Sequence, residues 1–198
     1  MEKVTCGGNM ASVCNVKVVL TEDEIETTRE RYAMVPISTK AVKTVTYILS
    51  LYISFVFVQS LFFKFQGSPE TQHIFGILDL WAAERLGLEG MFLPPGIFNA
   101  YVIGSAELVA SVLLLTGLFT SYKLLNPLGA LMALGIISGA IFFHLFTPLG
   151  IEVQGDGGAL FMMAVGVWVS SIVLVILGRK KLCAVICCCC KKGSCKKP

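Results

Sequence analysis

Apolar residues in this chain fall in four unbroken runs, 45–63, 98–119, 127–146 and 159–177, with polar and charged stretches between them. Each run is close to the ~20 residues that a helix needs to cross a hydrocarbon core about 30 Å thick. The runs are continuous rather than alternating, and a helix satisfies its own backbone groups where water is missing. They predict an all-α membrane protein, a bundle of four transmembrane helices. Three segments follow: an N-terminal arm over 1–43, a four-helix domain over 44–178 and a Lys- and Cys-rich tail over 179–198.

Polar punctuation between the runs adds shorter elements. Thr21-Glu22-Asp23-Glu24 fits a capping box, which predicts a short helix over 22–32, with Pro36 and Ser38-Thr39-Lys40 breaking it before the first span. The connection over 64–97 is too long for a plain turn. Ser68-Pro69 reads as an N-cap followed by proline in the first helical turn. Beyond it Ile74, Phe75, Ile77, Leu78, Leu80 and Trp81 form an apolar surface interrupted by Asp79, Glu84 and Arg85. This predicts an exoplasmic helical insertion, either lying at the interface or folded back over the bundle mouth as a lid. Pro94-Pro95-Gly96 ends it. Asn126-Pro127 repeats the cap-plus-proline signal, Thr147-Pro148 closes the third span, Asp156-Gly157-Gly158 suits the start of the fourth, and Gly178-Arg179-Lys180-Lys181 reads as its stop.

Composition agrees with a membrane class: 55% hydrophobic and 15% charged residues, with a mean hydropathy of +0.77. Charge placement then sets an orientation. Of the 16 lysines and arginines, fourteen lie in the arm, the tail and at Lys123, and only Lys64 and Arg85 lie in the other connections. The positive-inside rule predicts that both termini are cytoplasmic, which needs an even number of spans. The first residues lack an apolar core, so the first span is expected to act as a signal anchor. The net charge of +3 is thereby explained by membrane orientation, and no nucleic-acid partner is expected.

One acidic residue stands inside an apolar run. Glu107, in Gly104-Ser105-Ala106-Glu107-Leu108, sits about ten residues into the second run, near the midplane. A charge at such depth costs at least about 2.5–3.5 kcal/mol on insertion scales, so it faces protein or a wet cavity. Ala100, Gly104, Ala110, Ser111 and Leu114 share its helical stripe, and small neighbours let another helix approach. Glu107 reads either as a protonated acid bonded between helices or as a proton- or ligand-handling group. Lys64 reads as a snorkelling anchor at the exoplasmic helix end. His144 reads as an interfacial donor, or as a relay partner of Glu107 if tilt or water bridges half a bilayer. Glu152, Gln154 and Asp156 crowd the loop beside it, where a glycine-rich turn with an Asp cap is preferred over a cation site, since no metal-ligand spacing appears. Gly135-x-x-x-Gly139 reads as close packing inside the bundle. Classical enzyme signatures are absent, and no residue is given a catalytic role.

Six of the eight cysteines lie in the tail, at Cys183, Cys187, Cys188, Cys189, Cys190 and Cys195. A reducing cytoplasmic face disfavours disulfides. Juxtamembrane cysteines among lysines predict S-palmitoylation, with Lys191, Lys192, Lys196 and Lys197 attracted to anionic lipid; a thiol-rich disordered tail is the plainer alternative.

Over residues 49–177 the chain resembles the DoxX-like family of small four-helix integral membrane proteins. The resemblance rests on Phe62-Phe63-Lys64-Phe65, Gly104-Ser105-Ala106-Glu107-Leu108, Leu115-Thr116-Gly117-Leu118-Phe119-Thr120, Gly139-Ala140-Ile141-Phe142-Phe143-His144-Leu145 and the stretch 150–158. It implies a four-helix bundle with an exoplasmic helical insertion after helix one, and Lys64, Glu107 and His144 look like the family's polar positions. The family takes its name from a small subunit of a thiosulfate:quinone oxidoreductase; other members are linked to redox-stress membrane complexes, and related eukaryotic proteins act as receptor chaperones or cargo receptors. The charged arm and cysteine-rich tail depart from the compact bacterial pattern.

The function expected is that of an accessory or binding component of the lipid bilayer with a buried polar site around Glu107. Two alternatives stand beside it. One is a small subunit of a quinone-linked redox complex with a membrane or soluble redox partner, quinone being implied by resemblance alone. The other is a membrane-protein chaperone or trafficking factor.

Overall fold

The computed structural model describes residues 39–120, 122 and 124–192, and every element among them is a helix. In chain order these are α1 (Thr39–Gln66), α2 (Pro69–Leu86), α3 (Ala100–Phe119), α4 (Leu125–Phe146) and α5 (Ala159–Lys192). Among the described residues four helices are long and apolar enough to cross a membrane: Lys40–Gln66, Ala100–Phe119, Leu125–Phe146 and Ala159–Arg179. The expected capping box at Thr21 and the helix over 22–32 lie outside the described residues.

Local chemistry explains where the helices begin and end. Ser68 caps α2 by accepting from the Thr71 amide at 3.3 Å, with Pro69 in the first turn. Gly87 closes α2 at φ 67°, a left-handed value natural to glycine, and its amide returns to the last turn. Asn99 caps α3, its Oδ1 accepting from Tyr101 and Val102 amides at 2.8 and 3.0 Å. One expected boundary is corrected and another extended. Asn126 does not cap α4, because the helix already begins at Leu125 and Leu124 stands at the cap position without a side-chain bond. The stop at 178–181 ends the apolar span but not the helix, which continues to Lys192. Arg, Lys, Leu and Ala sustain a helix, and Gly178 instead serves packing, since a Cβ there would overlap the Pro127 ring.

The four spans form a ring in chain order, α1 against α3, α3 against α4, α4 against α5 and α5 back against α1. Their shared core contains Ile53 and Phe57, Ala110 and Leu114, Ala130, Ala133 and Ile137, and Ala164, Val167 and Leu174. Alanine and glycine bring backbones close, as lipid-embedded packing requires; a Cβ at Gly129 would lie 2.8 Å from the Leu114 nitrogen. Phe55, Phe62 and Met162 point outward, at 67%, 61% and 65% exposure, where lipid is their solvent. The Gly135 and Gly139 pair is also turned outward: nothing lies within 4 Å of a Cβ at either position. That corrects the expectation of an internal contact. The inward face of α4 is carried by Ala130, Ala133 and Ile137, leaving Gly135 on the opposite side.

A second core covers one end of the ring. Phe75, Leu78 and Ala82 of α2 pack with Phe92, with Ala100 at the start of α3, and with Leu149 and Val153 in the α4–α5 connection. The connection over 64–97 thus carries a helix packed against the start of α3 and the α4–α5 connection. Asp79, which the sequence placed among residues interrupting the apolar surface, is buried and holds the turn after α2. Its oxygens accept from the Gly90 and Phe92 amides at 3.3 and 2.9 Å.

Candidate functional site

Side chains on an α-helix lean toward its N-terminus. Lys64 is in the last turn of α1, so it leans back into the bundle. Glu107 is about two turns into α3, roughly 10 Å along it, and leans toward the start of that helix. The two helices are antiparallel, so these leanings converge. The Lys64 Nζ lies 2.9 Å from both Oε1 and Oε2 of Glu107 and also donates to Ser60 Oγ. Lys64 is therefore drawn inward to a carboxylate rather than out to the bilayer surface, which corrects its reading as a snorkelling anchor.

The pair is well enclosed: the side chains are 14% and 7% exposed for Lys64 and Glu107 respectively. Gly104 makes the approach of α1 and α3 tight, since a Cβ there would meet Leu61 and Phe65 at 3.2 and 3.3 Å. One turn below, Ser111 Oγ donates to the Glu107 backbone carbonyl at 2.8 Å. The ammonium uses its donors on two carboxylate oxygens and one hydroxyl, so both charges are compensated where water cannot reach them freely. Ser60 was missed in the sequence, although its position four before Lys64 puts it on the same helix face.

Farther along the α1–α3 seam Asn126 Nδ2 donates to Ser50 Oγ at 2.8 Å and to the Leu114 carbonyl at 3.2 Å. This buried amide ties three helices together. It explains why Asn126 is not a cap: its side chain faces the interior.

His144 is engaged elsewhere. It lies in the last turn of α4, its ring edge meets Phe161 at 5.7 Å, and Nδ1 donates to the Gly150 carbonyl at 2.6 Å. A carbonyl only accepts, so Nδ1 carries the hydrogen of this bond. No direct bond joins His144 to Glu107 among the described residues. Asp156 caps the start of α5. Its Oδ1 accepts from Val153 and Gly158 amides, and Oδ2 from Leu160, each at 2.9 Å. Bonds from Leu160, Val153 and Gly158 hold this carboxyl below its ordinary value, with His144 adding a smaller pull. Glu152 is exposed. Both Asp156 oxygens are engaged by backbone amides, which arrange the loop as a turn.

No curated protein and no solved structure matches this chain. A family model described as DoxX matches residues 46–146, just over half of the sequence, and takes in Lys64, Glu107 and His144 but not the Asp156 turn or α5. With its four membrane-spanning helices, this multi-pass integral membrane protein belongs to the DoxX family.

Proposed function

We propose that this DoxX-family protein is a membrane binding component, with the Lys64–Glu107 pair as the polar centre of its site. One observation carries the reading: an ion pair enclosed between two transmembrane helices, a costly placement that membrane proteins typically keep for function. Lys64 is the more accessible partner and has only hydrogen-bond donors to offer. With those donors engaged by Glu107 and Ser60, a ligand bearing acceptor oxygens, a class that includes quinones, would bind by taking the place of the Ser60 hydroxyl on the ammonium. Glu107 holds the ammonium in place.

The test uses protein purified in its native lipid and examined by native mass spectrometry, together with titration of decylubiquinone into nanodiscs. The Lys64→Met/Glu107→Leu double variant removes the site without leaving a lone buried charge. A retained molecule, or quinone binding, that disappears in this variant supports the reading; retention unchanged by it removes the pair from the site. Co-purification of a membrane client that depends on the pair, with no small molecule retained, assigns the site to a protein partner.

The same reading places both termini in the cytoplasm and the α2 lid on the exoplasmic side, supported by fourteen basic residues against two. A membrane-impermeant maleimide should then reach Cys6 and Cys14 only from the cytoplasmic side. Cys183 and Cys187 to Cys190 would anchor the tail by acylation, read as a hydroxylamine-sensitive label lost on conversion to serine.

A further inference from the structure

We infer that the interior of the bundle binds water at Ser54 and Ser171, apart from the Lys64–Glu107 site. Ser54 is 4% exposed and Ser171 fully buried, and neither hydroxyl has a hydrogen-bond partner among the described residues. Other serines of these helices behave differently. Ser105, Ser111 and Ser138 each donate to the carbonyl four residues earlier, and Ser50 accepts from Asn126. That near-at-hand carbonyl is open to any helical serine, yet Ser54 and Ser171 leave it unused.

Both residues lie on inward faces of neighbouring helices. Ser54 follows Ile53 and precedes Phe57 by one turn; Ser171 lies between Val167 and Leu174, and these four apolar residues belong to one core. Each hydroxyl offers one donor and two acceptor sites. Buried polar groups without a protein partner are usually satisfied by ordered water, which takes two to four polar neighbours. At each serine the hydroxyl and the second lone pairs of nearby helix carbonyls supply them. Phe57 and Leu174 each stand three residues beyond one of these serines, on the same helix face, and at 1% and 2% exposure they make the surroundings of each hydroxyl close-packed.

Synchrotron hydroxyl-radical labelling oxidises side chains next to bound water and tests this on the unaltered chain in nanodiscs. Phe57 and Leu174 should be labelled despite their burial, and the label should fall to background in Ser54→Ala/Ser171→Ala. Each single alanine should also lower the unfolding midpoint by about 2–4 °C, because a water loses a partner. Absence of label at both residues in the unaltered chain overturns the inference. So does a rise in midpoint on substitution, the behaviour of a dry, unpaired hydroxyl. The labelling readout stands even if a variant misfolds.

Discussion

Removing one charge of the Lys64–Glu107 pair and removing both should have very different effects on stability. Glu107→Leu or Lys64→Met alone strands a charge in the bundle and should cost about 3–5 kcal/mol, whereas the double variant should unfold close to the parent protein. Denaturant unfolding in nanodiscs separates these outcomes. Asp156 gives a pH-dependent counterpart. Its carboxyl is held below the ordinary value in the folded chain, so its contribution is present above the unfolded value and is lost as pH falls through the folded one. Asp156→Asn should lower the unfolding midpoint at neutral pH and flatten the acid limb of the stability profile. At this scale the sequence revealed Glu107, because a carboxylate in an apolar run is conspicuous. It hid the partner, because the meeting with Lys64 depends on the direction of two side chains across an antiparallel pair. Asn126 was misread for a related reason: Asn before Pro carries a strong local signal, and only the packed bundle shows the amide bridging Ser50 and Leu114.

Helices in this bundle are positioned by where glycine is required, and two glycines should separate required from dispensable. A Cβ at Gly117 would overlap the Asn126 backbone nitrogen, while one at Gly135 meets nothing within 4 Å. Gly117→Ala should therefore destabilise the α3–α4 contact by about 1–3 kcal/mol, and Gly135→Ala should be neutral or favourable by up to about 1 kcal/mol. Thermal unfolding of the two variants side by side checks the contrast. The turn after α2 makes its own prediction. Asp79→Ala frees the Gly90 and Phe92 amides, so hydrogen exchange should accelerate in residues 87–92 while the transmembrane helices keep their protection. Spans and caps were legible where one residue supplies the signal, as at Ser68 and Asp156. Orientation of the glycine pair in α4 was not, since spacing alone gives a helix face without saying which way it turns.

Across the whole molecule, four apolar runs were enough to anticipate four helical spans, because hydrocarbon leaves so few architectures open. The polar interior was harder to read: serine is unremarkable in a transmembrane sequence until its neighbours are known. One consequence concerns how such a chain enters a bilayer during synthesis. The helix bearing Lys64 emerges from the ribosome well before the one bearing Glu107. Until the later helix arrives, the lysine must keep its head among lipid phosphates at the rim. Neutralisation inside the bundle is then a late event that locks the first helix to the third, and a ribosome stalled between them should leave Lys64 open to amine-reactive labels that the finished protein resists.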